Sequence, residues 1–415
     1  MRIAVLQDDF PPYHKGGSGV VAHQLSHEYV RRGHGVLVIS SVHSPEHAGI
    51  SNLDGMRIAR LYSNYHVRWR AYRSLYNPSV VGKIDALLKD FQPDVVHVHN
   101  VHTHLSYYSL VLARRYTRNV YMTAHDVMSF HFDKLLSADE ASVNFSEENT
   151  YVESHLRQMR VQGLRYNPFR TTLIRYLLNS NVRRVIAVSE ALKRGMVKNG
   201  INNVDVVHNG IETSDWKEPS GTAAFKQSRG IGDAAILFGG RLSAAKGAFA
   251  ILDVLQAVRE KVPHAQVVVI GKKDAYAKPM IAYARKRGIE EGLMFTGWIT
   301  GDDIRAAYYA VTVVAVPSLY LDPFPTINLE AFACGKPVVA TCFGGSREIV
   351  EDGVSGFIVN PLDTRIMAER ISTLLQDKDM KTAFGQAGYR RVTKDFSLTV
   401  QAGKYLQIFV DSSAA

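Results

Sequence analysis

Cysteine is nearly absent: Cys334 and Cys342 are the two in 415 residues, each in or beside an apolar segment. Two such thiols exclude a disulfide framework and point to a reducing compartment. Long apolar runs are missing as well. No stretch approaches the roughly 20 residues that a membrane-spanning helix needs. The opening MRIAVLQDDF has one basic residue and a short apolar run that ends before Asp8, so it reads as neither a secretory leader nor a membrane span. The glycine spacing of dinucleotide folds is also lacking. The first glycine-rich loop has Gly16, Gly17 and Gly19, with Ala22 where a third fingerprint glycine would stand. Nor is there a shortage of core material, since 46% of residues are hydrophobic against 21% charged, which excludes a disordered chain.

Negative charge is the scarcer sign. Lys and Arg total 49 against 39 Asp and Glu, a formal net charge of +10. That balance favours an anionic partner, whether a nucleotide sugar, an anionic lipid surface or nucleic acid. The length accommodates two domains of about 200 residues.

Strand-like and helix-like segments alternate from the start, which implies parallel β-α-β units. Apolar runs at residues 2–7, 36–40, 56–61, 94–99, 120–125, 185–189 and 205–208 read as strands, and residues 19–33 as a helix ending at a glycine. Together they describe a doubly wound domain over residues 1–212. Residues 213–230 mix Pro, Gly, Ser and charge without periodicity and read as a linker. A second set of strands follows at residues 235–239, 265–271, 294–297, 311–317, 338–341 and 356–359, giving a second domain over residues 231–395. Residues 396–415 carry a last amphipathic helix with Leu398, Val400, Tyr405, Leu406, Ile408 and Phe409 as its apolar positions.

The chemistry concentrates in the second half. Residues 321–341, LDPFPTINLEAFACGKPVVAT, follow a strand and open a helix near Thr326, just after Pro325. A helix that starts at a strand's C-terminal end points unpaired N–H groups into the crevice where open α/β sheets bind ligands. Asp322 on the loop and Glu330 one turn into the helix flank that positive end, and acids beside an anion site bind hydroxyls. Some 80 residues earlier, Arg241 and Lys246 lie between a strand end and a helix start. An Arg fork and a Lys ammonium there would neutralise a diphosphate.

These residues resemble a known pattern. A loop acid, seven residues and a helical Glu running into EAFACGKPVVAT is similar to the E-x7-E motif of family four of the retaining GT-B glycosyltransferases. Where that family carries Glu at the first position, this chain has Asp322, one methylene shorter. Gly-Arg-Leu-x3-Lys-Gly at residues 240–247 fits the family's diphosphate clamp in full. The resemblance implies two Rossmann-like domains facing across a cleft, an N-terminal acceptor domain, a C-terminal donor domain, and a last helix returning to the N-terminal domain. It implies a hexose-type sugar moved from a nucleoside diphosphate to a glycan, lipid or small molecule with retention, and no metal or other cofactor. Asp322 would contact the sugar, Glu330 the ribose, and Arg241 and Lys246 the leaving diphosphate. Phe324 and Thr326 would lie against the donor, and the amides of Gly344 and Gly345 would face its sugar or phosphate. In the N-terminal half, Gly16 and Gly17 correspond to a loop that closes over the substrates, and His125 to a residue that reaches a sugar hydroxyl. Another GT-B enzyme, such as an epimerase or an inverting transferase, or an anionic-polymer binder, stands as the alternative.

Two further features carry less specific signals. His97, His99, His102 and His104 tempt one toward a metal, but no cysteine is near and strand register puts only His97 and His99 on one face. They are expected to line the end of a parallel strand. Arg60, Arg68, Arg70 and Arg73 interleave with aromatic residues over 60–76, and Arg157, Arg160, Arg165, Arg170 and Arg175 fall in a helix-turn-helix pattern. Such segments suit sugars, phosphates or membrane headgroups. The expected setting is cytoplasmic, with peripheral contact with the inner face of an anionic membrane left open and no specific nucleic-acid partner.

Overall fold

A computed structural model describes residues 1–13, 16–132, 155–240, 242–271 and 276–411. The described chain divides into two compact units. The first runs from Met1 to Asn209 and takes in the C-terminal segment from Leu398, and the second is Gly210–Ser397.

The first unit is built on an eight-stranded sheet. Its strands are β1 (Arg2–Gln7), β2 (Gly35–Val42), β3 (Gly49–Leu53), β4 (Met56–Tyr62), β5 (Val95–Val98), β6 (Val120–Ala124), β7 (Arg184–Ala187) and β8 (Val204–Val206). They lie in the order β3-β4-β2-β1-β5-β6-β7-β8. All pairings are parallel except β3 with β4. That hairpin corrects the all-parallel expectation. Asp54 and Gly55 turn it with φ of 49° and 78°, the left-handed pair that a two-residue hairpin loop requires. The sequence pattern passes over β3 because all five of its residues are exposed, so it carries no apolar run.

The first helix, Gly17–Arg31, starts two residues before the expected boundary and buries Val21, Leu25 and Tyr29 at four-residue spacing. The C-terminal helix, Leu398–Asp411, presents Leu398, Ala402, Tyr405 and Phe409 to the same core, among Ile3, Val5, Leu25, Tyr29 and Tyr121. It thus packs on the N-terminal sheet, as the resemblance implies. A polar chain reinforces that packing. The Tyr29 hydroxyl meets His97 Nδ1 at 3.2 Å, His97 Nε2 meets Thr123 Oγ1 at 2.8 Å, and Thr123 Oγ1 meets the Tyr405 hydroxyl at 2.9 Å.

The second unit has six parallel strands: β9 (Ala235–Gly239), β10 (Gln266–Ile270), β11 (Leu293–Gly297), β12 (Val313–Val316), β13 (Val338–Thr341) and β14 (Gly356–Val359). Their order, β11-β10-β9-β12-β13-β14, is that of a Rossmann sheet, and the direction of winding reverses between β9 and β12. Residues 213–230, expected as a linker, instead hold a 3-10 turn, Thr213–Trp216, and a helix, Thr222–Ser228, that belong to this unit. Phe225 anchors the helix in the interior, and the Trp216 ring stands edge-on to Tyr308 at 5.3 Å. Two short apolar anchors outweigh a composition that otherwise reads as loop. Among the described residues no helix is long and apolar enough to cross a membrane.

Burial lowers the pKa of His97 to about 3, with charge on His125 as a smaller cause. The unfolded chain takes up a proton near pH 6.5, so the stability held by neutral His97 is present above that pH and is lost as pH falls toward about 3. Urea unfolding at pH 7 and pH 5 measures this term. The wild type is expected to lose about 2 kcal/mol more than His97→Gln over that interval.

Candidate active site

In the second unit, the loops after β9, β12 and β13 converge where the sheet changes winding direction. Gly247, in the loop after β9, has φ +82°, and a Cβ there would stand 2.2 Å from the carbonyl oxygen of Pro317. Only glycine lets the loop press this closely on the end of β12. The Leu319 amide then donates to the Ala245 carbonyl at 2.7 Å, holding the two loops side by side.

That contact brings Lys246 onto Asp322. Lys246 Nζ donates to Asp322 Oδ2 at 2.8 Å, with side-chain exposures of 26% and 9%. The Tyr320 hydroxyl donates to the same oxygen at 2.5 Å, and the Lys246 ammonium lies 4.9 Å from the Tyr320 ring centroid. The β13 loop closes the third side. Gly344 has φ +70°, and a Cβ there would meet the Asp322 carbonyl oxygen at 2.1 Å. The Gly345 amide donates to that oxygen at 2.8 Å. The resemblance turns this amide toward the donor, whereas the structure commits it to the backbone of Asp322.

The helix Thr326–Ala333 follows with Pro325 as its N-cap, and no side chain caps or acidifies its first turn. Its unpaired N–H groups therefore give a positive end beside Asp322. Glu330 lies one turn in and is part-buried, receiving the Tyr308 hydroxyl at 2.5 Å. Burial raises the Glu330 pKa, opposed by hydrogen bonds from Tyr308 and Thr326 and by the charge of Lys246. Lys246, Asp322, Thr326 and Glu330 are thus brought together. Phe324 is not with them: its ring is 5% exposed and packs against Phe396 at 5.9 Å, because the Pro-flanked turn directs it into the core. Arg241 lies outside the described residues.

In the first unit, winding reverses between β1 and β5, and the loops after β1, β5 and β6 meet there. Asp8, straight after β1, accepts the amides of Thr103, His104 and Leu105 at 2.7–3.0 Å and so clamps the β5 loop. Each histidine of that loop has its own partners. His99 Nδ1 lies 2.9 Å from His125 Nε2 with the rings stacked, and His102 bonds the Tyr107 hydroxyl at 2.8 Å and pairs with Asp126 at 3.2 Å. His104 bonds Ser63. His97 departs from the expectation that all four line the strand end. It lies within β5 itself, as a middle link of the chain that runs from Tyr29 to Tyr405. No group of three His, Cys, Asp or Glu side chains suited to a metal occurs among the described residues. Gly16 and Gly17 open the first helix on its solvent side. Neither has a positive φ, and a Cβ at either would touch nothing within 4 Å.

A family model described as "Glycosyltransferase Family 4" matches residues 15–215, and one described as "Glycosyl transferases group 1" matches residues 222–391. The chain belongs to the group 1 glycosyltransferases. An uncharacterized glycosyltransferase of Methanocaldococcus jannaschii is 26% identical, over 91% of this chain and 90% of that protein. The structure is similar to sucrose-phosphate synthase from Thermosynechococcus elongatus, with a TM-score of 0.78 and 20% identity over 100% of this chain and 99% of that one. It is also similar to Anabaena HepE in complex with UDP-glucose, with a TM-score of 0.72 and 21% identity over 99% of this chain and 100% of that one. The fold is GT-B, with two Rossmann-like units.

Sequence reasoning about this glycosyltransferase passes over Tyr308, Tyr320 and Asp8. Tyr320 had a usable signal, a phenol two residues before the loop acid. Asp8 had another, a charge directly after a buried strand. Tyr308 had none, since it lies 22 residues before Glu330 on a different helix.

Because the Glu330 pKa is raised, its contribution to stability is present below the unfolded value and lost as pH rises through the folded one. Glu330→Gln keeps an acceptor for Tyr308 and removes the charge. Thermal unfolding of the ligand-free glycosyltransferase is expected to show a higher midpoint for Glu330→Gln than for wild type at pH 7.5. The difference should shrink toward pH 4.

Proposed function

We propose that the glycosyltransferase moves a hexose-type sugar from a nucleoside-diphosphate sugar to a glycan, lipid or small-molecule acceptor, with retention and without a metal. The observation that carries this is the juxtaposition of Lys246, Asp322 and Glu330 around one uncapped helix start, at the point where the second sheet reverses. A cation beside a positive helix end suits a diphosphate. Two carboxylates beside it suit the hydroxyls of a sugar and a ribose. The UDP-glucose bound to a structure of similar fold supports a nucleotide sugar as donor.

Lys246 and Arg241 stabilise charge on the departing diphosphate, which is the work of preorganised electrostatics. For Lys246, donor binding requires the ammonium to exchange or share its contact with Asp322. Asp322, held by Tyr320, then orients the sugar and Glu330 holds the ribose. His125 is assigned to a sugar hydroxyl, with His99 Nδ1 behind it. The bond from the anomeric carbon to the diphosphate oxygen breaks, and the acceptor oxygen bonds that carbon on the same face. The acceptor proton passes to the departing phosphate oxygen. At Gly16 and Gly17 the absence of a side chain leaves the backbone open to a substrate.

Thermal unfolding with UDP, GDP, ADP and their sugar conjugates, in EDTA, tests the donor site. A specific nucleotide at about 100 times its Kd should stabilise the fold by about 2.7 kcal/mol. Lys246→Ala and Glu330→Ala should lose most of that shift. No shift from any nucleotide overturns the assignment, and an inverted anomer by NMR overturns retention.

A further inference from the structure

The first unit exposes aromatic and aliphatic side chains that a water-facing surface does not need. Val67, Trp69 and Tyr72 are 57%, 50% and 49% exposed, and Phe169, Leu173 and Tyr176 are 69%, 43% and 65% exposed. The first three lie on the 3-10 turn Val67–Trp69 and the short helix Arg70–Arg73. The others precede or lie on the helix Arg170–Asn181, at i, i+4 and i+7. That spacing is one helical face, and it is not the face that buries Arg170, Ile174 and Leu178.

Two hydrogen bonds hold the segments side by side. Asn167 Nδ2 donates to the Ala71 carbonyl and Arg170 Nε to Ser74 Oγ, each at 3.3 Å. Arg170 is buried and also donates to the carbonyls of Met128 and His131, so it acts as a strut under the patch. Leu156 and Met159 on the preceding helix His155–Gln162 are likewise 66% and 47% exposed.

Charge decides what covers it. Residues 55–84 contain six Lys and Arg and no Asp or Glu, and residues 155–189 contain seven and none. Arg68, Arg160, Arg165 and Arg175 are exposed and form no ion pair among the described residues. In the second unit, by contrast, Arg259, Arg285 and Arg287 each meet a carboxylate within 2.9 Å. A water-facing helix normally mixes both signs. Trp, Tyr, Phe and Leu interleaved with unpaired Arg is the composition that rests at a headgroup boundary, with rings in the interface and guanidinium groups on phosphates.

We infer that this face of the first unit docks on an anionic phospholipid bilayer. The patch follows the C-terminal ends of β4 and β6, the same edge of the sheet that carries His125 and Asp126. Docking therefore sets that edge beside the lipid surface. If the reading above holds, a lipid-borne acceptor is the class that gains from it.

Vesicle binding needs no turnover, so it succeeds or fails independently of the donor assignment. The full-length protein is sedimented with vesicles of phosphatidylcholine mixed with phosphatidylglycerol, and with vesicles of phosphatidylcholine alone. Expected is sedimentation with the mixed vesicles at low salt and release at high salt. Arg68→Gln, Arg165→Gln and Arg175→Gln should each weaken partitioning by about five-fold. The triple change Trp69→Ala, Phe169→Ala and Leu173→Ser should abolish it, with the thermal midpoint of the free protein unchanged. No sedimentation with either vesicle, equal sedimentation with both, or wild-type partitioning by both sets of variants overturns the inference. A change in oligomeric state by light scattering in the triple variant, with vesicle binding intact, assigns the face to a second copy instead.

Discussion

The contact between Lys246 and Asp322 joins the loop after β9 to the loop after β12 across the one place where the second sheet leaves a crevice. A parallel sheet wound in one direction has helices covering every strand end. Only where the winding reverses do two adjacent loops part, and a ligand site can open there. Gly247 and Gly344 are what make the contact attainable, because a Cβ at either would collide with a backbone oxygen of the neighbouring loop. The charge pair, the two close approaches and the uncapped helix start are thus parts of one construction.

That construction holds its carboxylates by different means. Asp322 is offset by an ammonium and a phenol on the same oxygen. Glu330 has the Tyr308 phenol and its own helix turn, and burial still raises its pKa. An acid that is costly to ionise without ligand is a poor contributor to stability. On the proposed reading its place is explained by the ligand it would hold, since active sites retain groups that weaken the fold.

The first unit solves a different problem. Its core accepts a histidine, a threonine and two tyrosines because they satisfy one another from Tyr29 to Tyr405, and an unsatisfied buried donor would cost about 1–3 kcal/mol. One end of this chain lies on the first helix and the other on the last. The C-terminal helix is therefore fixed by geometry as well as by the burial of Phe409 and Leu398. Asp8 plays a comparable part at the strand ends. Three backbone amides converge on a buried carboxylate, which sets the path of the loop that carries His99 and His102.

Much of this was legible in the residues alone. The parallel strands could be read because buried strands are continuous apolar runs. Asp322, Glu330 and the helix start could be read because they lie within one short stretch, and Lys246, some 80 residues earlier, because it falls between a strand end and a helix start. The terminal helix declared itself by its apolar period. What escaped was whatever lacked a local signature: β3, exposed along its whole length; the helix of Thr222–Ser228, held by one phenylalanine; and Tyr308, which reaches Glu330 from another element. Residue types also misled where depth mattered, so that Phe324 turned inward and His97 sank into the core. The sequence by itself determined the buried strands, the strongly periodic helices and which acids and bases are available. The tertiary structure alone decided which of them meet, because periodicity and spacing report on neighbours along the chain, while burial and pairing depend on elements that fold together from far apart in it.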